Sequence, residues 1–81
     1  IVALLRAIQL DPTILLLDEP TASLDADTTQ QIERLVMGWM SEGQGRHAFV
    51  WVTHDVLQAN RIANRQLECR GGRVLEVESI R

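Results

Sequence analysis

The feature that most restricts how this sequence can fold is a run of four large aliphatic residues leading directly into two carboxylates and a proline, residues 14–20 (Ile-Leu-Leu-Leu-Asp-Glu-Pro). An unbroken aliphatic run is typical of a strand buried on both faces, because a half-exposed strand would alternate polar and apolar residues. Pro20 lacks the donor for a further ladder bond and ends the strand. The sequence therefore predicts Asp18 and Glu19 at the carboxyl end of a buried strand, where ligands bind in open α/β sheets.

The rest of the chain alternates helical and strand patterns. Apolar residues at helical spacing predict helices with one buried face, and runs rich in β-branched and aromatic residues predict strands. We predict, in chain order, a helix ended by Asp11-Pro12, the strand just described, a helix from Asp27 to Gly43 and Gly45, a buried strand at residues 48–53, a helix at 56–63 and a glycine-turn hairpin of residues 67–70 and 73–78. This order predicts an α/β fold in which helices flank a parallel sheet and a C-terminal β-hairpin follows.

Composition limits the classes of function. The 81 residues provide for one small domain, and 46% apolar residues favour a globular chain. Eight basic and eleven acidic residues give a formal net charge of −3, so we expect no nucleic-acid partner. Cys69 is the sole cysteine, which excludes a disulfide framework within the chain, and its strand position predicts a small buried side chain.

Polar side chains end both predicted strands. Asp18 and Glu19 follow the first strand and His54 follows the second. If these strands are parallel neighbours, their carboxyl ends bring the three side chains to one edge of the sheet. One carboxylate beside a divalent metal, a second that takes a proton from water, and an imidazole that reaches a phosphate oxygen suit the hydrolysis of a phosphoanhydride. Mg²⁺ keeps several waters, so one Asp and the substrate phosphates can hold it.

Three motifs now make a family resemblance specific. Residues 15–21 (Leu-Leu-Leu-Asp-Glu-Pro-Thr), 22–25 (Ala-Ser-Leu-Asp) and 52–55 (Val-Thr-His-Asp) occur in the order and at about the spacing found in ATP-binding-cassette (ABC) ATPases. The chain resembles the second half of the nucleotide-binding domain of that family. The resemblance implies a partial P-loop NTPase fold of the RecA-like ABC type, with ATP and Mg²⁺ as ligands.

The resemblance also implies a role for each matching residue. Asp18 is similar to the Walker B aspartate that supports Mg²⁺, commonly through water, and Glu19 to the general base on the attacking water. His54 resembles the switch histidine that senses the γ-phosphate. Asp25 and its neighbour Ser23 match the loop that reaches across an ATP-sandwiched dimer to the nucleotide of the other subunit.

The resemblance extends to partners and location. It implies a second nucleotide-binding domain as partner in a homodimer or heterodimer, and a transmembrane permease subunit that the ATPase serves. The subunit would then be a peripheral protein on the cytoplasmic face of the plasma (inner) membrane. ATP hydrolysis would be coupled to transport.

Other motifs of the family are not in the sequence. The phosphate-binding loop Gly-x-x-x-x-Gly-Lys-Ser/Thr does not occur in these residues, nor does the Ser-Gly-Gly signature. We therefore expect residues 1–81 to be the C-terminal part of a single ABC nucleotide-binding domain, and we expect the isolated chain to bind ATP poorly. The resemblance also places the P-loop strand between the second strand and the hairpin, so the sheet is expected to have a gap.

Each assigned residue has a simpler explanation. Asp18 and Glu19 are also compatible with ordinary polar residues at a strand end, and His54 with a loop histidine. Asp25 is equally suited to capping the second helix, and Asp55 with Gln58 to forming a capping box at the third. The remaining assignments are structural, with Trp39 and Trp51 in packing, His47 in a solvated loop and Arg61 on a solvated helix face.

Two other functions are compatible with the sequence. ABC ATPases of DNA repair, chromosome maintenance and ribosomes carry similar Asp-Glu and His motifs without taking part in transport. The second alternative is that the chain is not an enzyme but a non-catalytic remnant or an interaction module. Stimulation of hydrolysis by DNA or ribosomes distinguishes the first of these from a transporter subunit, and micromolar binding of Mg-ATP to the purified chain would contradict the second.

Overall fold

The computed structural model of the chain describes residues 1–77. Helices and strands alternate in the order that the sequence predicts. The elements are α1 (Val2–Gln9), β1 (Ile14–Asp18), α2 (Ala26–Glu42), β2 (Ala48–Val52), α3 (Val56–Ile62), β3 (Gln66–Arg70) and β4 (Arg73–Val77). None of the helices in this part of the chain is both long and apolar enough to cross a membrane.

The predicted parallel pairing is confirmed. β1 and β2 form a two-stranded parallel sheet in which Ile14 lies opposite Ala48 and Asp18 opposite Val52. β3 and β4 form a second, antiparallel sheet. Both strands of the parallel pair therefore end at the same edge, and the loops that follow them leave the sheet side by side.

The core lies on one face of the parallel pair. Its buried apolar side chains are Leu15, Ile32, Val36, Trp39 and Ile62. The prediction that β1 is buried on both faces is wrong for this structure, because Leu16 is 77% exposed and Val50, its neighbour on β2, is 54% exposed. Successive side chains of a strand point to opposite faces, and within residues 1–77 only the Leu15 face is covered.

The first helix also differs from expectation. Its apolar residues recur at the spacing of a buried face, yet none of the residues of α1 is buried in the described part of the chain. Ile1 remains 48% exposed and Leu5 42% exposed. The pattern predicts the helix correctly, but residues 1–77 cover its apolar side only in part, since Leu4 and Ile8 are half-buried.

The second helix is defined at both ends by local contacts. The Asp25 carboxylate accepts a hydrogen bond from Thr28 N at 2.7 Å, which satisfies a donor that the first turn leaves unpaired. Gly43 ends the helix, and His47 folds back so that its ring stacks on Trp39 with 4.1 Å between centroids. His47 Nδ1 also lies 2.7 Å from the Trp39 carbonyl oxygen. The prediction of a solvated loop histidine is therefore wrong.

The predicted closing hairpin is confirmed for residues 66–77. Gly71 and Gly72 connect its strands with φ of 56° and 77°, which are the two positive angles that a type I′ turn requires. No residue of β3 or β4 is buried. Cys69 is exposed, which contradicts the expected burial, because a hairpin without a covering layer has no buried face. Glu78, the last residue of the predicted hairpin, lies outside the described residues.

Candidate active site

The candidate site begins where β1 and β2 end. Glu19 N donates a hydrogen bond of 2.8 Å to the Val52 carbonyl, which continues the pairing one residue beyond β1. His54 follows two residues after Val52. The register of the parallel pair therefore places the loop carrying Glu19 beside the loop carrying His54.

The side chains of these two residues meet. Glu19 Oε1 lies 2.8 Å from His54 Nε2. The contact is an ion pair when the imidazole is protonated, and a hydrogen bond when Nε2 carries the single ring proton of the neutral form. The Glu19 side chain is 36% exposed and that of His54 93% exposed, so water reaches both. A carboxylate next to a histidine at a wet edge is suited to moving a proton from water.

Glu19 adopts an unusual backbone conformation. Its φ is 44°, in the left-handed region that residues with side chains rarely occupy. Its carbonyl accepts from Ala22 N at 3.2 Å, and the Thr21 carbonyl accepts from Leu24 N at 3.2 Å, so two successive turns follow β1. Such strain persists where surrounding contacts hold it and is common at functional sites. The turns direct Glu19 toward His54 and then lead into α2.

Asp18 is the last residue of β1. It is exposed and lies opposite Val52 in the register, immediately before Glu19. Oxygen ligands suit Mg²⁺, which usually binds one or two carboxylates and completes its shell with water and phosphate. Within residues 1–77 no cluster of three or more His, Cys, Asp or Glu side chains is arranged to hold a metal by itself. The carboxylates at this edge fit a magnesium ion that arrives with phosphates, not a metal held by protein ligands alone.

Ser23 and Asp25 lie further along the same loop. Both are exposed, and Ser23 has a positive φ of 66°. The hydrogen bond from Thr28 N confirms the predicted helix cap, and it also holds the pKa of the Asp25 carboxyl below its usual value. In the described part of the chain, neither Ser23 nor Asp25 bonds to Glu19 or His54. The structure therefore brings Glu19 and His54 together and leaves Ser23 and Asp25 facing solvent.

A cleft of about 620 Å³ opens beside the Glu19–His54 contact. The first turns of α2, through Ala26 and Thr29, and the α3 residue Arg61 form other parts of its wall. The cleft thus combines a carboxylate, an imidazole and a guanidinium around a space large enough for a phosphate group with its waters.

A buried polar network forms part of the wall of the cleft, through Thr21, Gln58 and Arg61, and the sequence did not indicate it. Gln58 is 2% exposed and Glu33 is 8% exposed. The Gln58 amide nitrogen donates to Thr21 Oγ1 at 2.8 Å and to Glu33 Oε2 at 2.9 Å, and its oxygen accepts from Trp51 Nε1 at 3.1 Å. The predicted capping box is half right, because Asp55 caps Gln58 N at 3.1 Å while the Gln58 side chain joins the network instead.

Arg61 completes the network from the solvent side. Its Nη2 lies 2.9 Å from Glu33 Oε2, and its Nε donates to Oε1 at 3.3 Å. The hydrogen bond from Arg61 is the main reason that the pKa of Glu33 is lowered, although burial opposes it. The same bond raises the pKa of Arg61. Arg61 is therefore paired with a buried carboxylate, not merely solvated as the sequence suggested.

Comparison with known proteins gives matches along almost the whole chain. It is 41% identical over 76 residues to the phosphate import ATP-binding protein PstB of Mycobacterium intracellulare, covering 94% of this chain and 25% of that protein. It is 45% identical over 75 residues to PstB 2 of Natronomonas pharaonis, covering 93% of this chain and 25% of the relative. The lipoprotein-releasing system ATP-binding protein LolD of Colwellia psychrerythraea is 41% identical over 73 residues, covering 90% of this chain and 27% of LolD.

Each match covers nearly all of this chain but only a small part of the relative. The chain spans about a quarter of the length of the curated relatives that it matches. No protein-family model matches the chain. No solved structure matches it either.

Proposed function

Since the chain belongs to the family of ABC transporter ATP-binding subunits, we propose that in its complete form it hydrolyses ATP to support transport across a membrane. The observation that carries this proposal is the contact between Glu19 and His54 at the shared end of two parallel strands. The position at the sheet edge, the exposure to water and the adjacent cleft suit the hydrolysis of a phosphoanhydride.

The proposed mechanism gives a role to each side chain of the site. The Glu19 carboxylate accepts the proton of the attacking water, and the His54 imidazole orients Glu19 and contacts the terminal phosphate. Asp18 would hold Mg²⁺ through a water molecule, and the bound ion would neutralise charge that develops on the phosphate oxygens. Both Glu19 and His54 are accessible to solvent in the described chain, so they can meet a phosphate that enters the cleft.

A second nucleotide-binding domain is the proposed partner across the nucleotide, in a homodimer or a heterodimer. Ser23 and Asp25 would extend toward the nucleotide of that second subunit. Support comes from the exposure of both residues and from their position on the loop that leaves the Glu19 turn. The cap on α2 fixes the Asp25 end of this loop.

We propose that residues 1–81 are the C-terminal part of a single nucleotide-binding domain with the P-loop NTPase fold of the RecA-like ABC type. The uncovered face of the parallel pair supports this, since Ile14, Leu16, Val50 and Val52 are each at least half exposed. A further layer of the domain would bury this face, and a further strand would pair with the sheet edge. The separation of the two sheets in the described chain agrees with a strand that lies between them.

The transport role implies a transmembrane permease and a place on the cytoplasmic face of the inner membrane. The relatives support a transporter subunit, but the names of PstB and LolD give phosphate and lipoprotein as different cargoes at similar identity. These names therefore assign no cargo to this chain, and the proposal is limited to coupling of ATP hydrolysis to transport. The net charge of −3 does not favour binding to nucleic acid, which is itself negatively charged.

Replacing the proposed base tests this function in the complete subunit. Glu19→Gln keeps the size of the side chain and its hydrogen bonding but removes the group that accepts a proton. We expect ATP turnover to fall by at least about 10²-fold, the usual contribution of a positioned base, while ATP binding measured by titration calorimetry is retained. Turnover equal to that of the unaltered subunit would contradict the role of Glu19.

A further inference from the structure

Gln58 is a buried residue whose side-chain nitrogen and oxygen are both hydrogen-bonded. Its amide nitrogen has two acceptors, Thr21 Oγ1 and Glu33 Oε2, and its oxygen accepts from the indole nitrogen of Trp51. A primary amide nitrogen has two hydrogens to donate, and both are used here. Leaving such a group buried without partners is costly, so the three contacts specify one position for this side chain.

The orientation of the amide is also determined. The indole N–H of Trp51 only donates, and the ionised Glu33 carboxylate only accepts. A flipped amide would set donor against donor at Trp51 and acceptor against acceptor at Glu33. Glu33 is itself held by Arg61, so the carboxylate that orients Gln58 is fixed in turn.

Gln58 joins the two loops that carry the candidate pair. Thr21, which accepts from its side chain, lies two residues after Glu19. Asp55, which caps its backbone N–H, directly follows His54. One residue therefore contacts both loops, through its side chain on one side and its backbone on the other.

Glu19 and His54 need such support because they have little packing of their own. The His54 side chain is 93% exposed and Glu19 is 36% exposed. Their separation of 2.8 Å therefore depends on the backbone of the two loops. Small displacements of reacting groups greatly lower the rate of a reaction.

We propose that Gln58 is a positioning residue that keeps Glu19 and His54 in contact, with Glu33 orienting its amide. This inference rests on the proposed function. Gln58 lines the cleft, but its side-chain nitrogen and oxygen are bonded to protein groups, so it binds neither the water nor the phosphate in this scheme. Its side chain acts on the Glu19 loop through Thr21, while its backbone bond to Asp55 is kept in every variant at this position. Replacing the side chain therefore loosens the geometry of hydrolysis while the groups that bind nucleotide remain.

The test compares three variants in the complete ATP-binding subunit. Gln58→Met keeps the length of the side chain and removes its hydrogen bonds. Gln58→Glu places a second carboxylate against Glu33. The double variant Gln58→Glu with Glu33→Gln exchanges donor and acceptor between positions 58 and 33. The new amide nitrogen can donate to residue 58 and the amide oxygen can accept from Arg61 Nε, while the bond from Arg61 Nη2 is lost.

We expect both single variants at position 58 to lower kcat for ATP by about 10- to 100-fold, with KM changed less than about twofold. The exchanged pair should recover kcat to within about threefold of the unaltered subunit, which loss of stability alone does not predict. Val36→Ala is the matched control. Val36 is a buried residue of α2, and its apolar side chain takes no part in the hydrogen-bond network. The kcat of this variant, corrected for the folded fraction, should stay within about twofold.

The result that would overturn the positioning role is a Gln58→Met subunit with kcat within about twofold of the unaltered protein, measured beside a Glu19→Gln subunit that has lost turnover. An equal loss of kcat in Val36→Ala would overturn it as well. If Glu19→Gln itself turns over normally, the proposed function fails and the positioning role fails with it.

Discussion

Two regions of this molecule use the same Arg–Glu contact with different consequences. Beside the candidate site, Arg61 pairs with Glu33, whose side chain is only 11% exposed and also accepts from Gln58. In the hairpin, Arg65 pairs with Glu76 and Arg70 with Glu68, and all four of those side chains are 45% exposed or more. The distances are similar, from 2.6 to 3.0 Å. Burial and the additional partner, not the length of the contact, distinguish the two regions.

The difference in burial indicates which of these ion pairs determine the structure. A surface pair competes with water and loses side-chain entropy, so it adds little to stability. A buried carboxylate must keep its partners, because water does not replace them. We therefore expect the network of Glu33, Gln58 and Arg61 to determine how the loops sit, and the hairpin pairs to affect the fold only slightly.

Removing Glu33 should produce the largest loss of stability. Glu33→Ala leaves the buried Gln58 amide without one acceptor and removes the carboxylate that accepts two hydrogen bonds from Arg61. We expect the free energy of unfolding to fall by about 2–3 kcal/mol, measured by urea denaturation. Arg61 remains half exposed and can be solvated by water, which keeps the loss below that of a fully buried pair.

A fall no larger than that of a hairpin variant would remove the distinction between the two regions. Glu33→Gln is the matched control, since its amide oxygen can still accept from Arg61. Its loss should be smaller than that of Glu33→Ala.

Acid should weaken the fold through the same carboxylate. The pKa of Glu33 is lower in the folded chain than its ordinary value of 4.5, chiefly because of the hydrogen bond from Arg61. As the pH falls, the unfolded chain takes up the proton first, so the stabilisation is complete above pH 4.5 and is lost as the pH passes through the folded pKa. Asp25 contributes with the same sign, because its pKa is also lowered.

The check is the pH dependence of the unfolding free energy between pH 6 and pH 3, roughly the range in which carboxyl groups titrate. Glu33→Gln should show a shallower decline than the unaltered protein, and adding Asp25→Asn should make it shallower again. A slope that neither substitution alters would contradict this account of acid sensitivity.

The smallest effect is expected in the hairpin. Glu76→Ala breaks the pair with Arg65, whose side chain is 71% exposed. We expect a change in unfolding free energy of about 0–1 kcal/mol, and a smaller one at high salt because surface charges are screened. A loss as large as that for Glu33→Ala would show that the hairpin pairs are structural.

The sequence predicted the parts of this molecule that depend on local pattern. The aliphatic run at residues 14–17 and the apolar run at residues 48–53 predict the two strands. Their polar ends predict that Asp18, Glu19 and His54 lie at one edge of the sheet, and the contact between Glu19 and His54 is what the structure adds. The caps at Asp25 and Asp55 follow from the same local chemistry. Each of these features involves neighbours in the chain or the direction of adjacent parallel strands.

The features that were missed depend on distant residues. Gln58 bonds to Thr21 and Glu33, which lie 37 and 25 positions away, so a capping rule could account only for its backbone. His47 was assigned to solvent because no local pattern reveals that it stacks on Trp39. Leu16 and the apolar side of α1 were expected to be buried, since hydrophobic spacing reports a face that needs cover without showing what covers it.

The most direct test of the central claim is a double-mutant cycle on ATP turnover in the complete subunit, with Glu19→Gln, His54→Ala and the two combined. If the pair acts as one unit, each single variant should lose about 10²-fold or more in kcat, and the double variant should be no slower than the slower single variant. Losses that multiply in the double variant would show that the two residues act independently and would contradict a joint role for the contact between them.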